Sequence, residues 1–443
     1  MKARIVPLYF TSPDDPDFAA QWTALHGLLS EEAEILPPQA LGDPLPEMTD
    51  AAVFPQMLGE AYRRLDQFRA LGVPVLVITS EFGTVSMWDW EINQYLRSSG
   101  VQVLAPYNLE QARLVCRLLA LKRELHQSRF LVYQDNPGEG FQASIFKRFY
   151  WWEEECTARL KERFGITIEK RSFRALGEAA KGIPDDEAKQ VWEVWKDQVP
   201  LGHIPESSLL SAVKLYLAVK RDLESTPGVL SAGINCLNES HFSDTTPCLA
   251  WDFLYSERGL AWGCEADTVS MLTLLLATRG LAKPAMMTNL YPFLMGQAAL
   301  KHERIPHFPR VSREEENTVL TAHCGYLGVL PRAFASQWAL RRKVLAIVDE
   351  NATAIDARLP EGPMTLLKLQ PPFDTLSVVE GDLEGYAGFP GSDCLNGAIL
   401  RVPDGHRLMT ELASHHYILA SGRFTAAIDL LAEVFGLQVK RIE

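Results

Sequence analysis

Short apolar runs alternate with helix-length segments along the first two thirds of the chain, and this rhythm restricts the fold more than any other feature. Ala3 to Phe10 is a β-like apolar run. Met57 to Leu71 has helical periodicity and stops at Gly72, a residue suited to closing a helix. Val73 to Thr79 reads as a buried strand. Glu91 to Ser99 is helical and closed by Gly100, and Val101 to Ala105 is the next strand. Glu110 to His126 is a helix and Arg129 to Tyr133 a strand. The alternation predicts an α/β fold, a doubly wound parallel sheet with helices on both faces.

A polar stretch from Ser172 to Pro205, carrying Pro184 and Pro200, reads as a boundary. A second α/β unit follows: helix Ser207 to Glu224, strand Val229 to Asn235, helix Glu265 to Thr278 and strand Ala285 to Thr288. After about residue 350 the helical signals fade. Gly362 to Leu369, Thr375 to Gly381, Ala398 to Val402 and Tyr417 to Gly422 are short strands between Pro-, Gly- and Asp-rich turns. They predict an antiparallel, barrel-like β domain. One last helix, Thr425 to Phe435, precedes the strand Leu437 to Ile442. The expected domains are residues 1–170, 171–345 and 346–443.

The 443 residues carry 43 Lys and Arg against 56 Asp and Glu, a net charge of −13. A chain this acidic repels a phosphate backbone, and its longest basic run is only Arg341 to Lys343, so no nucleic-acid partner is expected. No apolar run reaches the roughly 18 residues of a membrane span, and Asp14, Asp15 and Asp17 follow the first apolar stretch at once. Seven scattered cysteines form no CxxC pair. Together these features predict a soluble cytoplasmic protein.

Standard catalytic motifs are mostly absent. Gly138-Glu-Gly140-Phe-Gln-Ala143 fits a GxGxxA phosphate loop, and Glu169 stands where a ribose-binding acid would. A turn-rich βα connection explains the same glycines, and is the preferred reading. Gly263-Cys-Glu265-Ala-Asp267 places two acids at the start of an apolar helix, where the helix dipole favours negative charge. Asn235, Asn238, His241, Cys236 and Cys248 lie just upstream in loops. His323 and Cys324 follow a strand-like run, and His415 and His416 open a strand. Carboxylate and imidazole groups at element ends are what a divalent-metal site requires.

In this order, the segments resemble the L-fucose isomerase family and, more distantly, the L-arabinose isomerases. Thr79-Ser-Glu-Phe-Gly83 and Met87-Trp-Asp-Trp-Glu91 follow a first-domain strand. Thr246-Pro-Cys248, Cys264-Glu-Ala-Asp267, Glu316 to Gly325 (ENTVLTAHCG) and His415-His-Tyr417 complete the match. The resemblance implies two Rossmann-like domains followed by a β-rich domain. It also implies a homotrimer or homohexamer and aldose–ketose isomerisation of a small sugar with a divalent metal, commonly Mn²⁺. By it, Glu265 is a metal ligand and acid/base group, and His415 a ligand, with His416 beside it. His323 is placed near the substrate, and Trp88 and Trp90 are candidates for stacking on a sugar.

The family's second carboxylate falls on Asn289. An amide offers a neutral carbonyl but cannot take up a proton at neutral pH. Asp267 is a possible substitute. Two alternatives follow: a sugar-binding or regulatory homologue that lost the base, and, on Gly138 and Gly140, a nucleotide-dependent oxidoreductase.

Overall fold

Strand β1, Ala3–Tyr9, is the hub of the first sheet, because five of its seven side chains are fully buried and need cover on both faces. The computed structural model describes residues 1–55, 60–78, 87–135, 153–292, 314–343, 349–388, 392–393 and 395–443. Around β1 lie β2 (Ala33–Ile35), β4 (Ala51–Phe54), β5 (Val75–Val77) and β6 (Val103–Leu104), in the order β2-β1-β4-β5-β6. The short β3 (Gln39–Ala40) also joins β1, and every pairing is parallel. Helices α1 (Pro16–Leu29), α2 (Leu65–Arg69), α3 (Met87–Ser98) and α4 (Leu109–His126) connect or follow these strands. Asp15 caps α1, with Pro16 at its first position. Phe10, Phe54 and Phe68 pack ring to ring in the core, 5.1 and 5.4 Å apart around Phe54.

The chain divides into two units by its contacts, residues 1–126 with 425–437, and residues 127–424 with 438–443. The C-terminal helix therefore belongs with the first unit, where Lys122 Nζ donates to Val434 O at 2.9 Å. The expected boundary at 170/171 falls inside the second unit. Strand β7 (Arg129–Tyr133) lies between β8 (Thr167–Arg171) and β9 (Val229–Ile234), and β10 (Ala261–Cys264) completes a four-stranded parallel sheet, β10-β9-β7-β8. The stretch read as a polar boundary is largely helical. After α5 (Glu154–Phe164) it forms α6 (Phe173–Lys181), capped by Ser172, and α7 (Asp185–Trp195). Pro184 is the residue just before α7, where proline is tolerated rather than disruptive. The buried α8 (Glu206–Ser225) and α9 (Cys248–Arg258) follow.

Six antiparallel strands close into a barrel: β15 (Gly362–Leu369), β18 (His416–Ser421), β11 (Ala285–Pro292), β12 (Thr318–Ala322), β17 (Gly397–Arg401) and β16 (Thr375–Ala387), which pairs back to β15. The barrel is not confined to residues after 346. Two of its strands, β11 and β12, come from the expected central domain. A register shift near Gly385 bends the long β16, as closure requires. Strand β19 (Gln438–Arg441) joins β16 in parallel, and β13 (Gln337–Arg342) pairs with β14 (Thr353–Arg358). Helix α10 (Thr268–Leu275) is apolar and buried on every side and packs against β15, β18 and β11. The short α11 (Gly405–Thr410) and the C-terminal α12 (Thr425–Phe435) complete the described helices. Among the described residues no helix is long and apolar enough to cross a membrane.

Candidate metal centre

The sequence pattern starts a helix at Glu265; the chain instead starts α10 three residues later. After Cys264 it turns through Glu265 and Ala266, at φ 54° and 57°. Both are left-handed, which costs a non-glycine residue roughly 1–2 kcal/mol. The turn lifts Glu265 off the helix, and Asp267 becomes the cap, accepting from Ser270 N at 2.9 Å.

Opposite this turn stands the start of β18. The ligand atoms of Glu265, His415 and His416 all lie within 4.8 Å of one another. The two imidazole centroids are 4.1 Å apart, and His416 Nε2 is 3.9 Å from Glu265 Oε2. Asn289 on β11 is the cross-strand partner of His416, so their side chains share a face. Asn289 also pairs with Ala322, the last residue of β12, and His323 follows with its ring 6.4 Å from that of His416. The barrel register thus brings together Asn289, His323 and His416 from three strand segments.

His323 is held in place by a tight loop. Cys324 has φ 24° and Gly325 φ 99°. A Cβ on Gly325 would lie 2.2 Å from Ile355 O, so only glycine fits there. Asn289 Oδ1 and His323 Nδ1 are both buried with no hydrogen-bond partner among the described residues. Such atoms cost free energy unless something fills their valence. A bound cation or a sugar hydroxyl would do so, and a carboxylate with neutral imidazoles and an amide oxygen suits a divalent ion.

Asp267, expected as a substitute acid/base, is placed behind His416. It is 0 % exposed. Its Oδ2 receives Ser270 Oγ–H at 2.7 Å and lies 3.3 Å from Lys368 Nζ and 3.0 Å from His416 Nδ1. Burial pushes its carboxyl pKa up, but the Lys368 ammonium and then the His416 hydrogen bond hold it well below the usual range. An ionised carboxylate can only accept, so Nδ1 carries the ring proton and Nε2 is the acceptor nitrogen on the Glu265 side. Lys368 is the residue that sequence reasoning missed. It is 2 % exposed, and its signal was a lone cation inside the apolar strand Gly362–Leu369.

Burial pushes the pKa of all three histidines down: His323 to about 3, with His416 and Lys343 adding to the effect; His415 well below its ordinary value; and His416 despite the opposing pull of Asp267. They are neutral and ready to ligate at neutral pH. The unfolded chain takes up these protons below about pH 6.5 and the native protein does not. Stability is therefore complete above that pH and falls towards pH 3, by about 1.4 kcal/mol per pH unit for His323 alone. Urea titrations of the metal-free protein are expected to show a falling midpoint from pH 6.5 to 4, with a shallower fall in His323→Gln. Equal slopes would show that His323 is protonated in the native state.

Trp88 and Trp90 lie on α3 in the first unit, 57 % and 36 % exposed, and Trp90 leans on Tyr107 at 6.1 Å. The Gly138 to Ala143 segment and Thr79 to Gly83 lie outside the described residues. Glu169 is engaged by Arg171 at 2.6 Å and Arg129 at 3.3 Å. In the basic run, Arg341 is taken up by Asp356 and the buried Asp393. Comparison with family models and with curated proteins finds no match.

Proposed function

We propose that the protein is a divalent-metal-dependent aldose–ketose isomerase of the L-fucose isomerase type, acting on a small sugar through an enediol. The observation that carries this reading is the gathering of Glu265, His415 and His416 within 4.8 Å. The buried, unpartnered Asn289 Oδ1 beside them supports it. Glu265, His415 and Asn289, with His416 completing the set, would hold the ion, Mn²⁺ by the resemblance. When bound, the ion polarises the oxygens on C1 and C2 and acidifies the C–H between them.

The chain's own groups do the rest. Among the described residues Glu265 is the carboxylate that groups with His415 and His416. In this reading it would take the proton from C2 and return it to C1 on the same face, while a second proton passes from O2 to O1 to complete the aldose–ketose change. Asn289 orients a sugar oxygen without exchanging protons. Asp267 and Lys368 hold His416, and His323 contributes a neutral nitrogen to the substrate wall. The reading also takes the two parallel sheets as Rossmann-like domains. It takes the protein as a cytoplasmic homotrimer or homohexamer, with Trp88 and Trp90 as sugar-stacking residues.

The test is incubation with Mn²⁺ and a panel of aldoses, led by L-fucose and D-arabinose, in D₂O, followed by mass spectrometry. Metal-dependent deuterium at carbon is the expected result. Asn289 favours a second reading, a sugar-binding homologue that no longer turns over. Metal and sugar binding without any label would establish that reading and remove the first.

A further inference from the structure

A cavity of about 520 Å³ lies in the second unit, and no residue of the Glu265, His415 and His416 cluster lines it. Its volume falls in the range of small-molecule sites. Arg341 and Arg342 reach it from β13, and Asp356 from β14. His203 comes from the segment before α8, Tyr326 from the loop after β12, and Asn396 from the residue before β17.

The polar groups of this wall are held in place. Leu340 N donates to Pro200 O at 2.9 Å and Gly202 N to Leu340 O at 2.7 Å, which ties the His203 segment to β13. Arg341 Nε donates to Asp356 Oδ1 at 2.9 Å and Nη2 to Asp393 Oδ1 at 2.7 Å. Asp393 is 0 % exposed, and its backbone oxygen accepts from Gly325 N at 2.6 Å, next to Tyr326. The Arg358 guanidinium lies 5.1 Å from the centre of the Tyr326 ring. A Cβ on Gly388 would lie 1.5 Å from Tyr326 Oη, so the hydroxyl rests against bare backbone. Asn396 is buried and donates through Nδ2 to Ser392 O at 2.6 Å.

The charges balance. Two guanidinium groups, Arg341 and Arg342, stand against two carboxylates, Asp356 and the buried Asp393. A charged ligand would meet repulsion along with attraction there. Hydrogen-bonding capacity is left over. Among the described residues Arg342 donates only through Nε, to Glu350 O at 3.1 Å, so its two Nη groups remain as donors. Arg341 takes only Oδ1 of Asp356, so Oδ2 remains an acceptor. A neutral molecule rich in hydroxyl groups fits such a wall, because each hydroxyl donates to one group and accepts from another. We infer that this cavity is a second carbohydrate site, which takes a neutral sugar apart from the metal centre. Arg342 and Asp356 bind neighbouring hydroxyls of the sugar, and the Tyr326 hydroxyl meets a third. The site owes nothing to the metal reading of Glu265, since no residue of that cluster lines it.

The experiment uses the full-length Glu265→Gln protein in EDTA, which takes the metal centre out of the measurement. L-Fucose, D-arabinose and maltose are the neutral probes, and D-glucose 6-phosphate and inorganic phosphate the charged ones. Calorimetry reads affinity, and hydrogen exchange with mass spectrometry reads location. The expected result is saturable binding of a neutral sugar with a Kd of about 1 mM or tighter. Exchange should slow in the peptides that carry Tyr326 and Gln337–Arg342. Adding Arg342→Gln should weaken binding about tenfold or more, and Tyr326→Phe about two- to tenfold. Arg342 is exposed and Tyr326 partly so, and both variants should keep the fold. Failure of all three neutral sugars to bind overturns the site. Tighter binding of either phosphate overturns the ligand class. Binding that protects only the Glu265 and His415 peptides, and that neither variant weakens, places the sugar at the metal centre and overturns the second site. Labelling by the wild-type protein with Mn²⁺ judges the metal reading separately.

Discussion

Asp267→Asn is expected to destabilise the protein by about 3–5 kcal/mol, the cost of removing one partner from a buried ion pair. The substitution keeps the shape of the side chain, and asparagine is as good a helix cap as aspartate, so α10 should still start at Thr268. What disappears is the charge facing Lys368, whose ammonium is 2 % exposed and would retain Ser270 Oγ at 2.8 Å. Burial already pushes the Lys368 pKa down, with Asp267 opposing the shift. Without the carboxylate the lysine must lose its proton or drag water inside. The substitution also loosens His416, because an amide can present either its oxygen or its NH₂ to Nδ1 and so no longer selects one tautomer. Mn²⁺ affinity should therefore fall about 10–100-fold. Urea denaturation and calorimetry check the two effects separately. In a double-mutant cycle, Lys368→Met on the Asp267→Asn background should recover most of the stability without the affinity. Asp267→Asn within about 0.5 kcal/mol of wild type, as at an ordinary surface position, would show that the pair is not buried as a pair of charges.

Glu265→Gln is expected to remove function and leave the fold. The side chain is 13 % exposed, but the substitution keeps its shape and the turn is set by backbone, so stability should change by less than about 1 kcal/mol. Glutamine keeps an oxygen but loses the negative charge and the ability to take up a proton. Mn²⁺ affinity should fall by at least about a hundredfold, beyond the usual effect of supporting residues. Deuterium incorporation should fall by about 10²–10⁴, the range of a general base. Unchanged labelling in Glu265→Gln at saturating Mn²⁺ would place the base elsewhere, and Asn289→Asp is the natural next variant. If that variant gains activity over wild type, the amide at this position is what limits the reaction.

Much of the architecture was legible in the chain. Apolar runs such as Arg129 to Tyr133 and the twenty-residue α8 stand where their patterns put them, because period and burial are local properties. The errors have physical causes. The polarity of residues 172–205 belongs to the exposed faces of α6 and α7, not to a linker. The helix start at Glu265 failed because consecutive left-handed residues have no signature when neither is glycine. Strands β11 and β12 were drawn into the barrel from what looked like an α/β unit, since an isolated apolar run does not state whether its neighbours are parallel.

By itself, the sequence determined the types of group available: one carboxylate turn, a histidine after an apolar strand, a histidine pair at a strand start, and an amide where a carboxylate was expected. Residue type is carried by the chain, and so is the local preference for strand or helix. Only the tertiary structure decided which of these groups meet. Asn289 faces His416 through barrel register, Asp267 meets His416 Nδ1, and Lys368 reaches Asp267 from a strand about a hundred residues away. Those contacts depend on strand pairing and on the closure of the barrel, which are interactions between distant segments that no local pattern encodes.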